Sequence, residues 1–541
     1  MYQVVKRDGT IAPFTLDKII QAITKAFIAC QKPYSEDVIE RIALRVTSDF
    51  CDKVKDDLIG VEDIQDSVEN VLANDGYYDV SKAYILYRKQ RENVRKLETN
   101  SQDYKKIFAH YFTDENATDS YSVGGLILNN SGMLTKNYWL SDIYEENVVN
   151  SYMHKEIYIH DLDMFAGRRA CWSLKQLLQV GILPIKNNIC SGPSKHLSTL
   201  CSQLINFLGI LQNEWAQEQY ISSFDTYLSI LVKKDSLTYE QVKQSIQTFI
   251  YGINVPSRWG SKPPHTIIEC DGKIPTSLRK QYPVIAEHKQ SFTYGECTEE
   301  LELVQKALLE VLEEGDYEGK NFQYPIVYYH IDKDSLQEDS EVYDLIVKVK
   351  KKYRSFYFTT KPMLHSSLGM VSIDVSKLKE EADTRERFYT KLDAVLHISM
   401  HSLETKKNIL DSFLKSGLYP YTRKYGVSFK EMHSSIGIVG LETIEDPRFC
   451  LQYIQDKLLP GIVLEKCTDK NAYKYFDKEL PTVDTIDFLS YLDKQKEIYS
   501  FYEEQSFCDV QLIEELDSWK EAAVMLETVL YKYHFKGVYW E

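Results

Sequence analysis

Apolar residues return at helical spacing as soon as the chain leaves its first fifteen residues. Ile19, Ile20, Ile23, Ala26 and Phe27 predict a helix over 16–30, with Thr15 placed to cap it. Similar patterns predict helices at about 35–53, where Val38, Ile42 and Val46 keep register, and at 61–74 and 79–97. Before them, alternation over 2–14 around Asp8-Gly9 reads as a β-hairpin. The polar run RKLETNSQD (95–103) marks a boundary, so residues 1–97 form one unit and 98–541 a second. Beyond it, short β-rich runs alternate with helical patterns. The clearest are KEIYIH (155–160), YPIVYYHI (324–331), GMVSIDV (369–375) and SSIGIVGL (434–441). Long amphipathic stretches at 196–232 and 238–252 read as helices between them, and 383–410 has helical spacing suited to packing. Strand–helix alternation over this length predicts an α/β architecture with a large or closed sheet.

Composition supports a folded chain of more than one domain: 541 residues, 43% hydrophobic, with 39 tyrosines. The formal net charge of −16 excludes the basic footprint of a general nucleic-acid binder. Apolar runs are broken by charge well short of a membrane span, so the chain reads as soluble and cytoplasmic, with no membrane partner. None of the ten cysteines forms a C-x-x-C pair or clusters with histidine at zinc spacing.

The stretch VVKRDGTIAPFTLDKI (4–19) sets Lys6 and Arg7 before an Asp8-Gly9 turn and Lys18 near a helix start. Turn amides, a helix N-terminus and three cations suit a phosphate, although KRDG alone also suits a solvated hairpin tip. V-x-K-R-D-G, then F-x-x-x-K-I, then AYILYRKQRE (83–92) together resemble the ATP-cone, the hairpin-capped four-helix module of ribonucleotide reductases and their repressors. The resemblance implies ATP or dATP as an allosteric ligand, accompanied by Mg. It places Val5, Lys6, Arg7, Asp8, Gly9, Lys18 and Ile19 at the nucleotide site, with Tyr87 from the fourth helix.

The rest of the chain resembles the anaerobic, glycyl-radical (class III) ribonucleoside-triphosphate reductases. IYIHDLD (157–163) with Cys171 resembles their first barrel strand and its cysteine, and PSKHLSTLCSQL (193–204) their P-x-S-I-S-T-A helix entry. TFIYGINVPSRWGSKPPHT (248–266), GMVSIDVSKL (369–378), HSSIGIVGLETI (433–444) and WKEAAVMLETVLYKYHFKGVYW (519–540) follow in the family's order. The implied fold is a ten-stranded α/β barrel behind the cone.

The family's chemistry needs a glycyl radical near the C-terminus, a cysteine on a finger loop and a four-cysteine zinc site. Here the segment before the GMVSIDV strand reads YFTTKPMLHSSLG (357–369), without cysteine. The nearest polar groups, His365, Ser366 and Ser367, cannot substitute, because an O–H bond is too strong to yield the radical. The chain stops at Glu541 without an R-V-x-G-Y motif, and Gly537 reads as a glycine of the last barrel strand. The N-L-E-x-T-P-A-E stretch has no counterpart between Gly440 and Thr482. No zinc site or glycyl radical is therefore expected. Cys171 is either a relic catalytic thiol or a buried hydrophobe, and Arg168 and Arg169 either hold an anion or sit on a loop. His154 and His160 are wrongly spaced for metal ligation, so no metal site is expected. The carboxylates of Asp161 and Asp163 read as structural.

Three functions stay open. The leading one is a nucleotide-responsive, catalytically degenerate regulator or partner in deoxynucleotide metabolism, acting as a homo-oligomer or through a reductase subunit. The alternatives are a large-subunit fragment of a split reductase completed in trans, and a binding module that modulates an active reductase.

Overall fold

The computed structural model describes residues 2–5, 11–30, 32–54, 58–85, 88, 122–185, 190–256, 262–360, 365–481, 488–503, 507–510 and 516–540. The chain divides into two compact units, Met1–Asp114 and Glu115–Glu541. The boundary expected at 97 lies outside the described residues.

In the first unit β1 (Gln3–Val5) pairs antiparallel with β2 (Ile11–Pro13), matching Val5 to Ile11. A third strand, β3 (Leu58–Gly60), adds to β1 in parallel, an element that sequence periodicity does not reveal because it is three residues long. Helices Leu16–Ala29, Glu36–Phe50 and Val61–Asn74 follow, with helical residues again at 78–85. Ile23, Ile42, Val46, Val68 and Leu72 interlock in its core. Thr15 stands at the predicted N-cap with extended backbone, but its side chain makes no capping hydrogen bond. The turn residues 6–10 and, Arg88 apart, residues 86–97 of the helix predicted over 79–97 lie outside the described residues.

The second unit is built on two sheets. One runs β15 (Phe507–Val510), β16 (Gly537–Trp540), β11 (Phe356–Thr359), β10 (Ile326–His330), β7 (Thr266–Cys270), β6 (Gln219–Ile221), β5 (Ala170–Trp172). The other runs β14 (Ile462–Leu464), β13 (His433–Val439), β12 (Ser367–Asp374), β4 (Ile157–Ile159). A small hairpin, β8 (Val284–Ile285) and β9 (His288–Lys289), stands apart. Strands β5, β6, β7, β10 and β11 are mutually parallel; β16 meets β11 antiparallel, and Arg169 meets Ser367 antiparallel at the opposite edge. The sheets thus meet at one edge, while no ladder joins β14 to β15 among the described residues. Across that junction Lys466 bonds the β15 carbonyl of Phe507 at 3.5 Å and pairs with Asp509.

Alternation decides which side chains face outward. Ala170, Trp172, Ile221, Ile268, Cys270, Val327, Tyr329, Phe356, Phe358, Val538 and Trp540 pack with the helices in the largest core. Val371, Ile373, Ile436, Ile438 and Leu464 do the same beneath the 32-residue helix Arg385–Ser416. Gly537 opens β16, the strand position assigned to it.

Two sequence expectations change. The stretch 196–232 is not one helix: Leu197–Leu211 ends, β6 intervenes, and Phe224–Asp235 starts after Ser223 in the left-handed region at φ 52°. A three-residue strand buried on both faces cannot be told from helix by apolar spacing. The helix over 383–410 is a packing element, as expected, but it also delivers Lys406, 1% exposed, to a charged cluster.

Candidate functional site

Residues on the opposite parity of the same strands share the inner faces. Cys171 on β5, Tyr220 on β6, Ile267 on β7, Ile326 and Tyr328 on β10, Tyr357 on β11 and Phe507 on β15 form one cluster. The Tyr328 and Phe507 rings lie 4.9 Å apart, Tyr357 and Phe507 4.7 Å, and Tyr357 and Tyr539 4.8 Å, the spacing of packed aromatic pairs. Cys171 is half-buried beside this aromatic wall. Its backbone N–H donates to Ser366 Oγ at 3.0 Å. The segment that leads into β12, with no thiol in its sequence, therefore sets a hydroxyl against the backbone of Cys171. Cys171 stands on β5 and not, as the sequence resemblance implied, with IYIHDLD, whose Ile157–Ile159 form β4 in the other sheet.

Beside it lies a buried ion cluster. Arg169, fully buried, reaches Glu465 at 2.8 Å and Glu218 at 3.6 Å. Arg168 reaches Asp161 at 3.3 Å. The two arginines thus neither wait for an anion nor sit on an exposed loop. Burial alone would raise the Glu218 carboxyl, but the Arg169 and Arg168 charges outweigh it and hold it below its ordinary value. Asp161 is likewise held low, against its burial, by Arg168 and Lys406. Asp163 goes the other way, raised by burial and by the neighbouring Asp161 charge. Burial also lowers Lys406, whose ammonium donates to the His160 carbonyl at 3.3 Å. Glu465 lies in a region where sequence patterns assign no role. Its signal was present as the Leu464-Glu465 pair at a strand end.

His160 is fully buried; Nδ1 lies 2.8 Å from Asp469 and Nε2 2.8 Å from Ser372 Oγ. Burial dominates and lowers its pKa, so the ring is neutral. His154, by contrast, stands at the C-cap of helix Glu146–Met153. Asp374 accepts from the Ser376 and Lys377 amides and so begins the helix Val375–Glu380.

A third group stands at the ends of β7 and β10. His330 lies 2.7 Å from Glu269. Burial would lower its pKa, but the hydrogen bond and charge of Glu269 raise it. Asp271 accepts from Thr226 Oγ1 at 2.5 Å and Ser223 Oγ at 3.2 Å, and burial with the Asp225 charge pushes it up to about 7. Among the described residues no group of three or more His, Cys, Asp or Glu has the geometry to hold a metal.

In the first unit Val5 ends β1 and pairs with Ile11 and Gly60. Lys18 is exposed in the first turn of Leu16–Ala29, while Ile19 next to it is 5% exposed and packs inward. Lys6, Arg7, Asp8, Gly9 and Tyr87 lie outside the described residues. Arg88 is held by three carboxylates spaced along one face of Val61–Asn74: Glu62, Asp66 at 2.7 Å and Glu69 at 2.8 Å.

Residues 115–445 match the family model of the anaerobic ribonucleoside-triphosphate reductase. The chain belongs to that family. Residues 2–93 match the ATP cone domain, so this reductase-family chain carries a cone at its N-terminal end. The anaerobic ribonucleoside-triphosphate reductase of Haemophilus influenzae is 26% identical over 464 residues, covering 75% of this chain and 63% of that protein. Over 98 residues, 17% of this chain and 12% of the relative, the vitamin B12-dependent ribonucleoside-diphosphate reductase of Thermoplasma acidophilum is 43% identical. The chain thus spans less than two thirds of the length of either relative. Among solved structures, an anaerobic ribonucleotide reductase aligns with TM-score 0.69 at 16% identity over 81% of this chain and 84% of that one. The Thermotoga maritima enzyme in complex with dATP and CTP aligns with TM-score 0.66 at 15% identity over 82% and 91%. Among the described residues no helix is long and apolar enough to cross a membrane.

Proposed function

We propose that this family member is a nucleotide-responsive, catalytically degenerate relative of the anaerobic reductases. ATP or dATP, with Mg, binds the cone through Val5, Lys6, Arg7, Asp8, Gly9, Lys18, Ile19 and Tyr87. Binding changes the chain's oligomeric state or its contacts with a reductase subunit in the cytoplasm. The cone acts as a switch because the two assemblies bind nucleotide with different affinity. What supports the reading of degeneracy is the segment before β12, which carries no cysteine in YFTTKPMLHSSLG and whose Ser366 hydroxyl accepts from the Cys171 backbone amide. The hydroxyls available in that segment cannot replace a thiol, because hydrogen abstraction from an O–H is too costly to start radical chemistry.

Calorimetric titration and sedimentation of the full chain test this together. Micromolar binding of ATP or dATP with a shifted sedimentation profile, and no anaerobic reduction of CTP or ATP above background, is expected. Absence of binding, or unaided deoxynucleotide formation, overturns it.

One observation favours a second reading, the split reductase completed in trans. Cys171 keeps partial exposure on the inner strand face, where a thiyl donor from another polypeptide could reach it. Deoxynucleotide formed only when a radical-bearing partner is added would select that reading.

A further inference from the structure

Outside the cone and the Cys171 region, one cluster joins a thiol to a base. Ser372 Oγ stands between two partners, His160 Nε2 at 2.8 Å and Cys467 Sγ at 3.3 Å. His160 Nδ1 is 2.8 Å from Asp469, which fixes that nitrogen as the donor and leaves Nε2 to accept from the serine hydroxyl. Arg168 Nη1 also lies 3.3 Å from Nδ1, but the closer carboxylate decides the tautomer. The Asp469 backbone N–H donates to the Cys467 sulfur. Gly437 on β13 makes the room: a Cβ there would sit 3.0 Å from Ser372 Oγ and 3.1 Å from Cys467 Cβ. Cys467 is 5% exposed and lies at the edge of an opening. Cys467 lines a cavity of ≈ 250 Å³ together with Gly440, Lys466, Thr468, Tyr499 and Asp509, at the β14–β15 junction where no ladder closes the sheets among the described residues.

We propose that Cys467 is a peroxide-reactive thiol whose proton is managed by Ser372, His160 and Asp469. The cavity admits a molecule of a few heavy atoms, and the hydroxyls of Thr468 and Tyr499 are among its lining, which suits a small neutral peroxide. In the step, the sulfur attacks one peroxide oxygen, the S–O bond forms and the O–O bond breaks. Sulfur is oxidised by two electrons, and the peroxide is reduced. The thiol proton passes to Ser372 Oγ as the serine proton passes to His160 Nε2. The same path returns a proton to the leaving oxygen, giving water and Cys467 sulfenic acid. Burial keeps the thiol protonated at rest, up to about 11, so reaction depends on this relay and not on a standing thiolate.

Cys450 and Cys508 are 0% exposed against 5% for Cys467 and lack a hydroxyl–imidazole partner among the described contacts. They serve as references for a buried thiol without a relay, and the Ser372 variants separate the relay from access. The full folded chain is treated with hydrogen peroxide in oxygen-free buffer. Sulfenic acid is trapped with dimedone and located by peptide mass. Cys467 should label about a hundredfold faster than Cys450 or Cys508, the low end of what a positioned proton relay supplies. S372A should remove that advantage and S372T, which keeps the hydroxyl, should retain it. Cys467 labelling no faster than the two references overturns the proposal without any variant. So does a folded S372A that labels at the wild-type rate.

Discussion

The Arg169–Glu465 pair links the edge of β5 to the end of β14, and its removal should be among the most damaging single changes in the second unit. Both side chains are at most 1% exposed and 2.8 Å apart. Glu218 lies at 3.6 Å and is a weaker partner. Glu465→Leu keeps volume but takes the nearer carboxylate from a guanidinium that water cannot reach. Breaking a buried pair from one side costs about 3–5 kcal/mol, mostly the desolvation of the remaining charge. Arg169→Met should cost a similar amount, because Glu218 and Glu465 then lose their cation. In the double variant the stranded charge at 465 is gone, so its cost should fall short of the sum by about 1–3 kcal/mol. Urea unfolding at pH 7, followed by tryptophan fluorescence and far-UV circular dichroism, measures all four members of the cycle. With slopes of a few kcal/mol per molar, the single variants should lower the midpoint by roughly 1 M. A Glu465→Leu loss below about 1 kcal/mol, or strict additivity in the double variant, would refute the claim that the pair is dry and coupled.

Gly167→Ala should destabilise by about 1–3 kcal/mol, since its Cβ would meet Trp215 Cζ3 at 2.5 Å; thermal unfolding of the variant checks this. Asp271→Asn should gain stability over wild type at pH 8 and lose that gain near pH 5. A carboxyl raised to about 7 from an ordinary 3.8 binds its proton more tightly folded than unfolded. Wild-type stability therefore falls as pH rises through that window, and paired melts at the two pH values read it. Lys18→Ala should weaken ATP or dATP binding to the full chain by about tenfold through loss of one phosphate contact, measured by calorimetry, with the unfolding midpoint unchanged.

Long-range order was legible where residues carry strong local signals. The helices of the first unit follow from Ile23, Ile42 and Val68 falling at helical spacing, and β10, β12 and β13 are apolar runs long enough to stand out. Strands β3, β5, β6 and β14 were not legible, because three residues give no period, and β6 sits inside apolar sequence that fits a helix equally well. The interior followed the same divide. Cys171 was singled out by its surroundings in sequence, yet Arg169, Glu218 and Glu465 come from positions up to 296 residues apart, and only the register of β5, β6 and β14 brings them together. Lys406 was hidden for a related reason: on an otherwise amphipathic helix, one lysine on the apolar face looks like an interruption, whereas its charge answers Asp161 and Asp163 across the fold.

The placement of Ser366 can be tested apart from any activity. Its Oγ accepts from the Cys171 amide at 3.0 Å. Adding about 1.5 Å from amide nitrogen to Cα and about 2.4 Å from hydroxyl to Cα bounds the Cα separation at about 7 Å, the outer edge of disulfide geometry. Ser366→Cys should therefore form a disulfide with Cys171 on mild oxidation, seen as a cross-linked peptide two hydrogens lighter than its parts. The variant should show no gain of anaerobic nucleotide reduction, because a thiol in the right place still lacks a radical to oxidise it. Absence of the bridge in a folded variant would mean that position 366 does not face the first-strand cysteine, and the argument for degeneracy from that contact would fall. Reduction appearing on addition of a radical-bearing partner to Ser366→Cys, but not to wild type, would locate the missing chemistry at this one side chain.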